Sequence, residues 1–198
     1  MKKRTVALLL ALTLVLGVAA GGTIAWLFDK TNTITNTFAV GDIGVKLEET
    51  AADYKLIPGK TYEKDPKVTV ENDFDCYLFV SFKKENDPDS YLIYTSTLTE
   101  GNGWYQDNSL PETVWYRVVN ANDTTKEWNL IQGNTVKVSQ DIVKRGTTTE
   151  GALVMPATGT EPKLIYQAAA VQKDELDLIS AWNQVAVDMG YSEVAPTT

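Results

Sequence analysis

Short runs in which apolar and polar side chains alternate recur through this chain, and each is closed by glycine, asparagine or aspartate. Ile43 to Glu49 sets Ile43, Val45 and Leu47 against Gly44, Lys46 and Glu48. Lys67 to Glu71 and Cys76 to Lys83 follow, separated by Asn72-Asp73, and then come Tyr91 to Leu98, Thr113 to Asn120, Thr135 to Ser139, Ala152 to Met155 and Lys163 to Gln172. A period of two puts alternate side chains on opposite faces of a strand. Eight or more short strands at this spacing predict an all-β domain, a jelly-roll-like antiparallel β-sandwich, over residues 43–190.

Two further patterns refine this expectation. Leu56-Ile57-Pro58-Gly59-Lys60-Thr61 and Leu130-Ile131-Gln132-Gly133-Asn134-Thr135 share Leu-Ile-x-Gly-x-Thr, a turn whose glycine takes positive φ before threonine enters a strand. Near the C-terminus the period changes: Leu178, Ala181, Trp182 and Val185 fall at i, i+3, i+4 and i+7, after Asp174, Glu175 and Asp177 and before Gly190. That predicts one amphipathic helix with acids at its positive end and Trp182 as its anchor, followed by a flexible tail over 191–198.

The N-terminus reads as an address. Lys2, Lys3 and Arg4 precede an uncharged stretch from Thr5 to Phe28, and small residues lie at −3 and −1 if cleavage falls between Ala25 and Trp26. Residues 1–25 are therefore expected to be a signal peptide, although 24 uncharged residues would also be long enough for an uncleaved anchor. The 198-residue chain carries 18 basic and 26 acidic residues, net −8; removing residues 1–25 takes away three basic ones and leaves −11. This acidity argues against nucleic acid as a partner.

The mature chain would begin with an unusual segment, residues 26–42. Trp26, Phe28, Ile34, Phe38 and Val40 occupy even positions, while the odd positions from 29 to 37 are aspartate or threonine. A strand with one apolar row follows, on the order of 50 Å long when extended. It either folds back onto its own sandwich or adds to the sheet of another subunit, a head-to-tail contact that builds a filament.

Little catalytic equipment is on offer. With no histidine the Ser-His-Asp and Cys-His machines and imidazole-bound zinc are excluded, and the single Cys76 excludes an internal disulfide and reads as a buried small hydrophobe. Glu71-Asn72-Asp73-Phe74-Asp75 and Glu85-Asn86-Asp87-Pro88-Asp89 both read Glu-Asn-Asp-x-Asp, so calcium at Asp73 and Asp75 or at Asp87 and Asp89 competes with a plain turn role. Otherwise no cofactor is expected. Trp104, Tyr105, Trp115, Tyr116 and Trp128 could stack on sugars, or form core.

Gly21-Gly22-Thr23-Ile24-Ala25-Trp26-Leu27-Phe28-Asp29 followed by Asn36-Thr37-Phe38-Ala39-Val40-Gly41-Asp42-Ile43 resembles the processing region of the TasA/camelysin family. Leu56 to Thr61, Lys67 to Asn72, Asp75 to Val80, Trp115 to Val118 and the passage from Ala170-Val171-Gln172 to Ala181-Trp182 are similar to further parts of that family. The resemblance implies a jelly-roll domain, export through a dedicated signal peptidase, and biofilm fibres joined by donation of the N-terminal strand. Some members are classed as metalloendopeptidases, an activity that the missing histidine speaks against here. The expectation is a secreted, non-enzymatic cell-surface or matrix protein that self-associates into filaments, with Trp26, Phe28, Ile34, Phe38 and Val40 as the polymerisation strand. The alternatives are that peptidase activity and a carbohydrate-binding adhesin using Trp104 or Trp115.

Overall fold

The computed structural model describes residues 42–50, 54–143 and 153–195. In chain order the elements are β1 (Ile43–Glu48), β2 (Thr61–Glu63), β3 (Lys67–Asn72), β4 (Cys76–Glu85), α1 (Pro88–Tyr91), β5 (Leu92–Ile93), β6 (Val114–Val119), β7 (Glu127–Asn129), β8 (Thr135–Val138), β9 (Lys163–Gln172) and α2 (Leu178–Val185). Among the described residues the fold is all-β with two short helices. The strands form three antiparallel sheets, ordered β1-β3-β7, β2-β8-β5 and β6-β4-β9.

Strand β4 organises the core because its ten residues alternate between two apolar environments. Cys76, Leu78 and Val80 join Val68 and Val70 of β3, Val119 of β6 and the indole of Trp104 in one buried cluster. The intervening Phe79 belongs to a second cluster with Val114, Val171, Ala181 and Trp182. One face of β6-β4-β9 thus shares a core with β1-β3-β7, and the opposite face is covered by α2. The register runs from Cys76 opposite Gln172 to Glu85 opposite Lys163.

Helix α2 forms where its spacing predicts. Asp177 caps it, one carboxylate oxygen accepting from the Ile179 and Ser180 amides at 2.9 Å each. Trp182 is fully buried, edge-on to Phe79 with ring centroids 5.3 Å apart. Docking continues past Gly190, whose φ of 74° reverses the chain. The Tyr191 hydroxyl bonds to Ser81 and, at 2.7 Å, to Thr113, and the Val194 amide and carbonyl bond to the Asn183 side chain. Docked structure therefore extends into the stretch expected as tail.

The internal echo acquires a meaning. Gly59 and Gly133 take φ of 78° and 68°, and the strands that follow, β2 and β8, pair with each other, Thr61 opposite Lys137 and Glu63 opposite Thr135. Elsewhere the alternation overreaches. Of Tyr91 to Leu98 only Leu92–Ile93 is strand, because left-handed Asn86 and Asp87 and then Pro88 start the one-turn helix α1 that consumes Tyr91. Ala152 to Met155 reduces, among its described residues, to a bridge between Val154 and Val143. Strands β2 and β7 are three residues each, too short for alternation to register. No helix among the described residues is long and apolar enough to cross a membrane.

Candidate functional site

The register defines two poles of the sandwich. At one, Asp42 precedes Ile43, which lies opposite Asn72, and the Asn72 to Cys76 turn lies beside the end of β9. The chain is pinned here, since the Asp42 amide donates to the Asp73 carboxylate and the Asp73 amide to the Asp42 carbonyl, both at 3.1 Å. We call this the exit pole, since it holds Asp42, the first described residue. The far pole gathers the end of β1 at Glu48, the start of β3 at Lys67, and Glu85 opposite Lys163.

Strands β1 and β9 lie alongside each other on one flank, in contact but without a shared ladder. Among the described residues each is the edge of its sheet, so each keeps one row of backbone donors and acceptors outside any ladder. Ile43 and Val45 of β1 and Tyr166, Ala168 and Ala170 of β9 pack against the same core cluster. A ten-residue edge with small alanines at its middle is a template for a further strand.

The acidic segments do structural work. The Asp73 carboxylate serves Asp42 as above, and that of Asp75 accepts from the Ala121 amide at 2.9 Å. Beside this turn the Lys126 ammonium donates to the carbonyls of Asn72 at 3.1 Å and Ala121 at 2.9 Å. Asp87 is exposed at the start of α1 without a side-chain cap bond, while Asp89 accepts from Lys84 and Tyr94 at 2.7 Å each, which keeps its carboxyl below the usual range. Among the described residues no group of three or more acids and cysteines is arranged to hold a metal. Cys76 is fully buried, and desolvation pushes its thiol up to about 11.

The tryptophans expected as a sugar platform are not one surface. Trp104 is 1% exposed, edge-on to Trp128, with the Arg117 guanidinium 4.8 Å above its ring and 4.2 Å above that of Trp128. Trp115 is half-buried against the same cluster. Their adjacent residues alternate to the other face, where exposed Tyr105 lies 5.9 Å from Tyr116.

The sequence pattern did not disclose a cavity of about 290 Å³ at the far pole. Leu56, Leu92, Val136, Val138, Leu164 and Ile165 supply its apolar wall, drawn from four separated stretches of chain. Most of the polar groups around it have partners. Lys64 pairs with Glu49 at 2.7 Å and lies 4.8 Å over the Tyr54 ring, the Tyr54 hydroxyl donates to Glu49 at 2.7 Å, and Lys163 pairs with Glu85 at 3.2 Å. Glu161 accepts from the Gly159 amide at 2.8 Å. Burial, followed by the bond to Glu49, raises the Tyr54 hydroxyl well above its ordinary value, so it stays a neutral donor.

The cleavage pair Ala25 and Trp26, and the row Phe28, Ile34, Phe38 and Val40, lie outside the described residues. Comparison with protein-family models, with curated proteins and with solved structures gives no match.

Proposed function

We propose that this chain is a secreted structural subunit of an extracellular matrix or cell-surface fibre. Successive copies are joined by the N-terminal strand, residues 26–40, released when a dedicated signal peptidase cuts after Ala25. The observation that carries the reading is the ten-residue β9 edge, outside any ladder among the described residues and flanked by edge strand β1, which begins one residue after Asp42, close in sequence to the apolar segment. A strand added there gains main-chain hydrogen bonds for affinity and buries alternate side chains for register. The row of Trp26, Phe28, Ile34, Phe38 and Val40 has the period such a contact requires.

The test compares the chain beginning at Trp26 with one lacking residues 26–40. The first elongates and the second stays monomeric in electron micrographs and by light scattering; equal polymerisation by both rejects the reading. Phe38→Asp blocks elongation by placing a charge in an apolar contact while leaving β circular dichroism intact. A variant that loses its β signal instead assigns the strand to its own core.

A further inference from the structure

We infer that the far-pole cavity is the socket for Phe38 of a second copy. The inference rests on the fibre reading above and adds where the next subunit is gripped. The apolar wall of Leu56, Val136, Val138, Leu164 and Ile165 asks for an apolar occupant, and most of the neighbouring charges have partners: Lys64 has Glu49, Lys163 has Glu85, and Glu161 has the Gly159 amide, which leaves Lys55 of the lining outside any ion pair among the described residues. At about 290 Å³ the space suits one ring rather than a whole ligand, sitting just below the range of small-molecule pockets.

The length of chain beyond Asp42 identifies the donor as another copy. Asp42 is fixed to Asp73 at the exit pole, whereas the cavity is lined by Tyr54, whose hydroxyl donates to Glu49. Seven residue steps of extended chain, from Asp42 through β1 to Glu49, separate the two points, about 23 Å. Phe38 is four residues from Asp42 and reaches at most about 14 Å from it. A chain's own Phe38 therefore stops short of its own cavity. In a head-to-tail pair the exit pole of one copy faces the far pole of the next, and Phe38, the largest apolar side chain close to the exit, is then placed at the opening.

Charge agrees with this pairing. The exit pole presents Asp42, Asp73, Asp75 and Asp123, all held as carboxylate acceptors at chain turns. Near the cavity stand Lys55 and Lys60, neither of which makes an ion pair among the described residues, Lys60 lying 4.6 Å over the Tyr62 ring. Lys55 and Lys60 favour a carboxylate-bearing neighbour, although Glu161 also lines the cavity and Lys126 lies at the exit pole.

The experiment mixes two versions of the chain starting at Trp26, one carrying Phe38→Cys and the other Leu56→Cys, under mild oxidation; native Cys76 is buried and does not compete. The expected product is a heterodimer on a non-reducing gel. A companion variant, Leu56→Asp, is expected to slow elongation at least tenfold with unchanged circular dichroism. No heterodimer and normal elongation of Leu56→Asp, in a chain whose fibres still require residues 26–40, overturns the socket and leaves the fibre reading standing. Fibres from a chain lacking residues 26–40 overturn both. A single chain carrying both cysteines that closes on itself as a monomer overturns the second-copy assignment.

Discussion

The Lys126 ammonium donates to the Asn72 carbonyl across 54 residues of chain, at 3.1 Å, at the end of β3 where the acidic turn to β4 begins. Asn72 is itself buried, its amide nitrogen donating to the Phe74 carbonyl at 2.8 Å and the Val119 carbonyl at 3.3 Å. A motif that reads as a calcium loop is thereby tied into the sandwich by an internal cation. Lys126→Met leaves two carbonyls without this donor and is expected to cost about 1–3 kcal/mol. Urea unfolding with and without millimolar calcium checks both parts, since calcium should not raise the stability of the intact chain.

Trp182 carries the outer layer. Its ring touches Phe79 on one side and Tyr191 on another, at centroid separations of 5.3 and 5.4 Å. Trp182→Ala is expected to cost about 3–5 kcal/mol, because it removes transfer free energy and leaves a void under α2. Asp177→Ala, which only uncaps the same helix, costs about 1 kcal/mol. Thermal or chemical unfolding ranks the two, and equal losses would contradict this account of the layer.

Arg117 is a planar group against two indoles. Arg117→Lys keeps the charge and loses the flat stacking surface, so a loss of about 1 kcal/mol is expected, with altered tryptophan fluorescence. Gly103→Ala disturbs the same cluster from the other side. Gly103 has φ of 74°, and a methyl group there would come within 2.8 Å of Arg117 Nη2. Fluorescence that is unchanged in both variants would show that the cluster does not depend on the guanidinium.

Stability against pH should be flat between about 5 and 8, because the chain has no histidine to titrate there. On the acid side, Asp177 is held low by the Ser180 amide and hydroxyl, and Asp89 by Lys84 and then Tyr94. A depressed folded pKa stabilises above the unfolded value, near 3.9, and that contribution is lost as pH falls through the folded value. Decline is therefore expected below about pH 4. For Cys76 the sign is opposite: its raised pKa favours the fold below the unfolded value and the contribution disappears as pH climbs towards about 11. Urea midpoints across the range test both edges.

Alternation made β1, β3, β4, β6, β8 and β9 legible, and the 3.6 period with Asp177 made α2 legible, because each element is long enough to repeat its own pattern. Trp128 is the only apolar residue of β7, and Tyr62 of β2, so neither strand could declare itself. Trp104 and Trp115 read equally well as platform or core, and only the third dimension places Trp104 beneath Arg117. The cavity was hidden for a related reason: Leu56, Leu92, Val136 and Leu164 are far apart in the chain and meet only because β2 pairs with β8 and β9 returns beside β4.

Strand β4 also sets the order in which the molecule can be completed. Its partner β6 ends at Val119, but its other partner, β9, begins only at Lys163, and the first residue of β4 waits for Gln172. During synthesis the middle of the sandwich therefore stays one strand short until almost the whole chain is available. Loop closures of this length slow folding, and they expose an apolar β4 flank in the interval. A chain truncated before Lys163 should remain open on that flank and aggregate, while the complete chain closes it with its own β9.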